Sequence, residues 1–147
     1  MTPTISKNKN FYCIGLSYLK ADATMRGMFS LTPENKEALL TQARSEGFEE
    51  LLVISTCNRT ELYGYADHPF QLIQLCEYSK GSVDDFQKVG YVNKGKEAVQ
   101  HLFEVGTGLN SQILGDFEII GQMKQAFTLS RDKGLANAFL ERLMNSV

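Results

Sequence analysis

The sequence predicts an α+β fold, a ferredoxin-like split β-α-β-β-α-β sheet followed by a helical C-terminal segment, on three observations. Short apolar runs rich in β-branched and aromatic residues stand at 10–17, 51–55, 61–66 and 89–92. Helical patterns fall between the first and second of these and between the third and fourth. From Lys94 onward apolar residues recur only at helical spacing. The order of the first six elements is that of two helices packed on one face of an antiparallel sheet.

Each element has a local reason. NFYCIGLS, 10–17, is apolar at its centre and closes on Gly15 and Ser17, so it reads as the first strand, with loop residues following to Leu31. Thr32 offers an N-cap with Pro33 at the first helical position, and Leu39, Leu40 and Ala43 trace one helical face until Gly47. LLVIS, 51–55, is a continuous apolar run suited to a buried strand, and ELYGYA, 61–66, alternates as its neighbour would. A short helix over 69–78 buries Phe70, Ile73, Leu75 and Cys76, and 89–92 supplies the last strand. In the tail, Ala98, Val99, Leu102, Phe103 and Val105 share one helical face. Ile119, Ile120, Met123, Ala126 and Phe127 share a second, and the same spacing runs through 135–144. The division expected is a subdomain at 1–93 and a helical subdomain at 94–147.

With 147 residues, 43% hydrophobic and 22% charged, the chain suits one globular core and not two full domains. A net charge of −2 gives no overall attraction for nucleic acid, so any RNA contact must be local. No apolar run approaches a membrane span and the first ten residues hold no signal core, which points to the cytoplasm and to no membrane partner. Three cysteines, with no CxxC pair, suggest free thiols and no metal site.

The segment most suited to chemistry is Ser55-Thr56-Cys57-Asn58-Arg59-Thr60-Glu61, which puts a thiol at the end of an apolar strand. Arg59 favours the thiolate, the nucleophilic form, and Thr56, Asn58 and local backbone N–H groups suit an oxyanion developing on an attacked carbonyl. The plainer reading is a small buried cysteine in a turn, the commoner fate of a free thiol. Cys13 and Cys76 fall on apolar faces and read as packing. His101, between Val99 and Phe103, is either a base near Cys57 or a structural histidine, since only spatial neighbourhood matters. His68 sits in a polar loop. Ser111, Asp116, Phe117, Glu118 and Gln122 lie where polar residues and glycines interrupt the helical pattern, which by itself reads as a helix-loop-helix junction. No G-x-G-x-x-G follows a strand.

GLSYLKADATMRGMFSL, STCNRTELYGYA and GKEAVQHLFEVGTGLNSQILGDFEIIGQMKQAF, in that order, resemble the glutamyl-tRNA reductase family over nearly the whole chain. The resemblance implies an enzyme that forms a thioester from glutamyl-tRNA and reduces it with NADPH to glutamate-1-semialdehyde, on the route to 5-aminolevulinate, heme and other tetrapyrroles. It implies Cys57 as nucleophile and His101 as its supporting histidine. Thr56, Asn58, Arg59, Ser111, Asp116, Phe117, Glu118 and Gln122 are implied as substrate-binding. Tyr18, Asp22, Asn110, Asp116 and Glu118 depart from the family's commoner His, Pro, Asp, Glu and Gln. Members continue into a Rossmann NADPH domain and a long dimerisation helix, so this chain is expected to be the N-terminal catalytic piece of a homodimer that hands its aldehyde to an aminomutase. Alone it is expected to form the thioester slowly and lose it to water. Two rival classes remain: a non-catalytic RNA-binding α/β module, using Tyr63 and Tyr65 as stacking platforms, and a free-standing Cys-dependent hydrolase.

Overall fold

A computed structural model describes residues 9–17, 19–56, 58–106 and 118–146, the side chain of Glu118 excepted. Four strands, β1 (Asn10–Ser17), β2 (Leu51–Ser55), β3 (Arg59–Ala66) and β4 (Tyr91–Lys94), form one sheet in the order β2-β3-β1-β4, every neighbouring pair antiparallel. β1 and β2 therefore run the same way with β3 inserted between them, which is the split βαβ arrangement that the element order predicts. Seven α-helices complete the described chain: α1 (Ala23–Phe29), α2 (Pro33–Ser45), α3 (Phe70–Leu75), α4 (Val83–Val89), α5 (Lys96–Gly106), α6 (Glu118–Asp132) and α7 (Ala138–Ser146). A 3₁₀ turn at Cys76–Tyr78 prolongs α3.

The helical tail does more than follow the sheet; it covers its second face. Side chains alternate along a strand, so Tyr12, Ile14, Leu16, Leu51, Val53 and Leu62 pack under α1 to α4 in one buried cluster. Their neighbours Phe11, Cys13, Leu52, Ile54 and Tyr63 pack under α5 to α7 in another. Burial on both faces is why 51–55 reads as a continuous apolar run. It also removes the stacking platform that an RNA-binding sheet needs, since Tyr63 is wholly buried and Tyr65 packs against Phe11 and Phe139.

The edge strand β2 is the anchor for the second layer. Leu51 N donates to Leu135 O (2.9 Å) and Asn137 Nδ2 to Glu49 O (2.7 Å). The Glu50 carboxylate accepts from Leu140 N at 3.0 Å, satisfying an orphan donor at the start of α7 from a distant part of the chain. These contacts fix the α6–α7 connection against the sheet.

Three expectations need correction. The stretch 18–31 is not all loop: Asp22 caps α1, accepting from Met25 N at 2.8 Å, and Phe29 is buried. The last strand lies at Tyr91–Lys94 and not at 89–92, because α4, capped by Ser82 with Asp84 and Asp85 in its first turn, occupies the chain through Val89. Four helices, rather than two, cover the first face. The Thr32 cap, which accepts from Asn35 N at 3.1 Å, Pro33 at N1, and Gly47 at φ 100° after the helix all stand where the residues predict them.

Candidate active site

β2 and β3 are joined through positions 56–58, with Thr56 N donating to Arg59 O at 2.8 Å and Asn58 N to Thr56 Oγ1 at 3.2 Å. Cys57, Ser111, Asp116 and Phe117 lie outside the described residues, as does the side chain of Glu118. Of the remaining residues named from the sequence, Asn58 sits in the β2–β3 connection, and the other four fall into two groups. Thr56 and Gln122 share the wall of a cavity of about 310 Å³ that runs along the outer edge of β2, between α2 and α6. Arg59 and His101 meet elsewhere, inside the layer between the sheet and α5.

That second group is a buried charge network centred on Glu61, a residue to which the sequence reading gave no role. Arg59, Glu61 and Tyr63 occupy alternate positions of β3 and so point to one face. Across the sheet Glu61 pairs in register with Gly15, and Gly15 with Tyr91, so a glycine separates two large polar side chains. The Glu61 carboxylate, 0% exposed, accepts hydrogen bonds from Arg59 Nη1 (3.2 Å), Tyr63 Oη (2.9 Å), Tyr91 Oη and His101 Nε2. Tyr91 Oη also lies 3.3 Å from His101 Nε2. Burial alone would raise the Glu61 carboxyl. The hydrogen bond and charge of His101, the Arg59 guanidinium and the Tyr91 hydroxyl outweigh it and hold the carboxyl below its ordinary value.

The physical effect is to fix His101. Its Nε2 faces Glu61, its ring stacks at 6.5 Å from that of Tyr63 and meets Tyr91 edge-on at 5.2 Å, and its side chain is 16% exposed. Arg59, 3% exposed, has one nitrogen committed to Glu61. Such a pair stabilises little in net terms, but removing one partner of a buried pair costs more than the pair itself contributes.

Gly15 is what makes the network possible. A Cβ built there would stand 2.5 Å from Thr60 O and 2.7 Å from Glu61 Cγ. Gly15→Ala is therefore expected to cost about 1–3 kcal/mol through overpacking and to displace the Glu61 side chain, measured as a shift in the urea midpoint at unchanged slope. The sequence held the signal: a glycine inside a strand marks a close approach.

Cys13 lies beside this network. Its thiol is pushed well up by burial and by the Glu61 charge, against the opposing effects of the Tyr63 hydrogen bond and Arg59. Burial likewise pushes the Cys76 thiol up to about 12. Neither is a nucleophile at neutral pH. A Cys13 sulfur, a Glu61 oxygen and a His101 nitrogen lie within 4.8 Å of one another, a donor set that a divalent ion can use. Glu61 is, however, already satisfied by four donors and neutralised by Arg59, so the cluster is complete as a hydrogen-bond network.

A split four-stranded sheet, buried on both faces and carrying an Arg–Glu–His centre under its second helical layer, defines an α+β domain of the ferredoxin-like class. Its sequence matches the family described as "Glutamyl-tRNAGlu reductase, N-terminal domain" over residues 14–147, and the chain belongs to that family. It is 65% identical over 145 residues to the glutamyl-tRNA reductase of Flavobacterium psychrophilum, covering 98% of this chain and 35% of that protein. It is 35% identical over 140 residues to that of Pseudomonas aeruginosa, covering 92% and 33%. The solved structure of glutamyl-tRNA reductase from Methanopyrus kandleri shares the fold, with a TM-score of 0.73 at 24% identity over 92% of this chain and 31% of that one. The chain thus spans about a third of the length of the relatives it matches.

Proposed function

We propose that this domain captures the glutamyl group of glutamyl-tRNA as a thioester on Cys57, and that the complete protein reduces it with NADPH to glutamate-1-semialdehyde. The observation that carries the reading is the cavity of about 310 Å³ with Thr56 on its wall, one residue from Cys57 in a chain of this family. The reading divides the chain at 93/94, the first part carrying the thiol and the second closing the pocket.

The chemistry needs little from the protein beyond position and charge. An aminoacyl ester is an activated acyl donor. The Cys57 thiolate attacks its carbonyl carbon, and the tetrahedral intermediate collapses with cleavage of the carbon–oxygen bond to the tRNA ribose. The departing ribose oxygen takes a proton, and a thioester remains. We assign proton movement at this step to His101, held by Glu61, and the substrate's polar groups to Thr56, Asn58, Arg59, Ser111, Asp116, Phe117, Glu118 and Gln122; of these the cavity wall carries Thr56 and Gln122, while Arg59 and His101 stand in the adjoining layer under α5. A thioester accepts hydride more readily than a carboxylate does.

The described residues do not fit a nicotinamide dinucleotide. Their sheet is antiparallel throughout, without the parallel βαβ unit whose first turn cradles a pyrophosphate, and no hydride step is assigned to them. The complete protein is proposed to be a cytoplasmic homodimer that delivers its aldehyde to an aminomutase. Among the described residues, no helix is long and apolar enough to cross a membrane.

The test is turnover by the complete protein supplied with glutamyl-tRNA and NADPH. Semialdehyde should form in step with NADPH oxidation. Oxidation with free glutamate, or free glutamate alone, would contradict the reading.

A further inference from the structure

The cavity along β2 has a cation on its wall that neither the motif nor the Glu61 network uses. Lys36 stands in the opening turns of α2 and lines this cavity with Thr56 and Gln122. A helix N-terminus carries partial positive charge and favours carboxylates, so an ammonium there stands against the dipole. The side chain is half-buried, and that burial pulls its pKa below the ordinary lysine value. Among the described residues its ammonium has no hydrogen bond or ion pair. Glu37 also lines the cavity but is exposed, where water screens it. The other polar groups on the wall, Ser55, Thr56, Gln122 and Gln125, are neutral.

A cation that has lost part of its hydration, faces a polar cavity and has no counter-charge is matched by an anion from outside. We propose that Lys36 binds an anionic oxygen group of the substrate while its ester is presented to Cys57, and so sets substrate affinity. This rests on the function proposed above. An aminoacyl-tRNA brings two such groups, the phosphodiesters of its acceptor end and the side-chain carboxylate of the glutamyl group. A lysine serves either as a point charge.

The experiment uses the complete protein and the variants Lys36→Met and Lys36→Arg. Steady-state kinetics with glutamyl-tRNA are paired with inhibition by uncharged tRNA, which carries the phosphates but no glutamyl carboxylate. Lys36→Met is expected to raise KM about fivefold to tenfold with kcat within about twofold, because a partly solvated charge contact contributes modestly to binding. Lys36→Arg should recover most of the loss. If the anion is a phosphate, the inhibition constant of uncharged tRNA rises with KM, and the slope of log KM against log salt falls by about 0.7 to 1. If it is the carboxylate, KM rises while the inhibition constant and the salt slope hold. An unchanged KM in Lys36→Met, or a fall in kcat alone, overturns the assignment. Absence of turnover in the unsubstituted protein would instead remove the functional reading beneath it.

Discussion

Cys57→Ser in the complete protein is expected to reduce semialdehyde formation from glutamyl-tRNA by at least about 10³-fold, with the fold and the affinity for uncharged tRNA retained. The hydroxyl of serine is scarcely ionised at neutral pH, and the oxygen ester it would form is a poorer hydride acceptor than a thioester. No other sulfur among the described residues can take over. Cys13 is wholly buried and its thiol is pushed well up, while Cys76 is buried and pushed up to about 12. Initial rates under saturating NADPH check this. A variant retaining a tenth of the rate or more would place the chemistry elsewhere.

Glu61→Gln is expected to destabilise the domain by about 3–5 kcal/mol, the range for breaking one side of a buried ion pair. The substitution keeps the size and shape of the side chain, so the loss does not come from a cavity. It takes the Glu61 charge away from the Arg59 guanidinium, 3% exposed, and it turns an amide NH₂ toward groups that now donate to a carboxylate. Urea denaturation of both proteins at neutral pH measures the difference. The pH dependence is a second signature. The folded Glu61 carboxyl lies below its ordinary value of 4.5, so the unfolded chain binds the proton more readily. The ionised carboxylate therefore contributes stability above pH 4.5, and the contribution is lost as pH falls through the lowered value of the folded state. The gap between the two proteins should narrow in that acid window. A gap that stayed constant down to the acid transition would mean that Glu61 is not held ionised by its partners.

The sheet was legible because its signals are local. β1 and β2 fall at the bounds their composition suggests, and α2 carries its cap, its proline and its terminal glycine in plain view. β3 begins two residues earlier than the alternation implies, because Arg59 and Thr60 already pair with Ser17 and Leu16 of β1, a strand distant in sequence. α1 was hidden by Gly27, a helix breaker in a seven-residue helix, although Asp22 is a residue type suited to an N-cap. α4 was hidden by its brevity, with Phe86 its one buried residue.

The candidate site was legible in part. The thiol and its polar neighbours form one contiguous motif, so a strand end with Cys, Asn and Arg could be recognised without knowing the fold. Glu61 sits in that motif, yet its role depends on Tyr91 and His101, which only β4 and α5 bring to it. The charge at an inward position of ELYGYA and the glycine inside NFYCIGLS were the two available clues. Lys36 offered none, for its place on the cavity wall follows from how α2 packs beside β2.

The most direct measurement is to mix the complete protein with glutamyl-tRNA labelled in its glutamyl group, omit NADPH, quench in acid and map the label by peptide mass spectrometry. One glutamyl residue should be found on the peptide bearing Cys57, labile to hydroxylamine and absent from Cys57→Ser. Label on another residue, or aldehyde formed on later addition of NADPH without any such adduct, would contradict covalent capture at position 57.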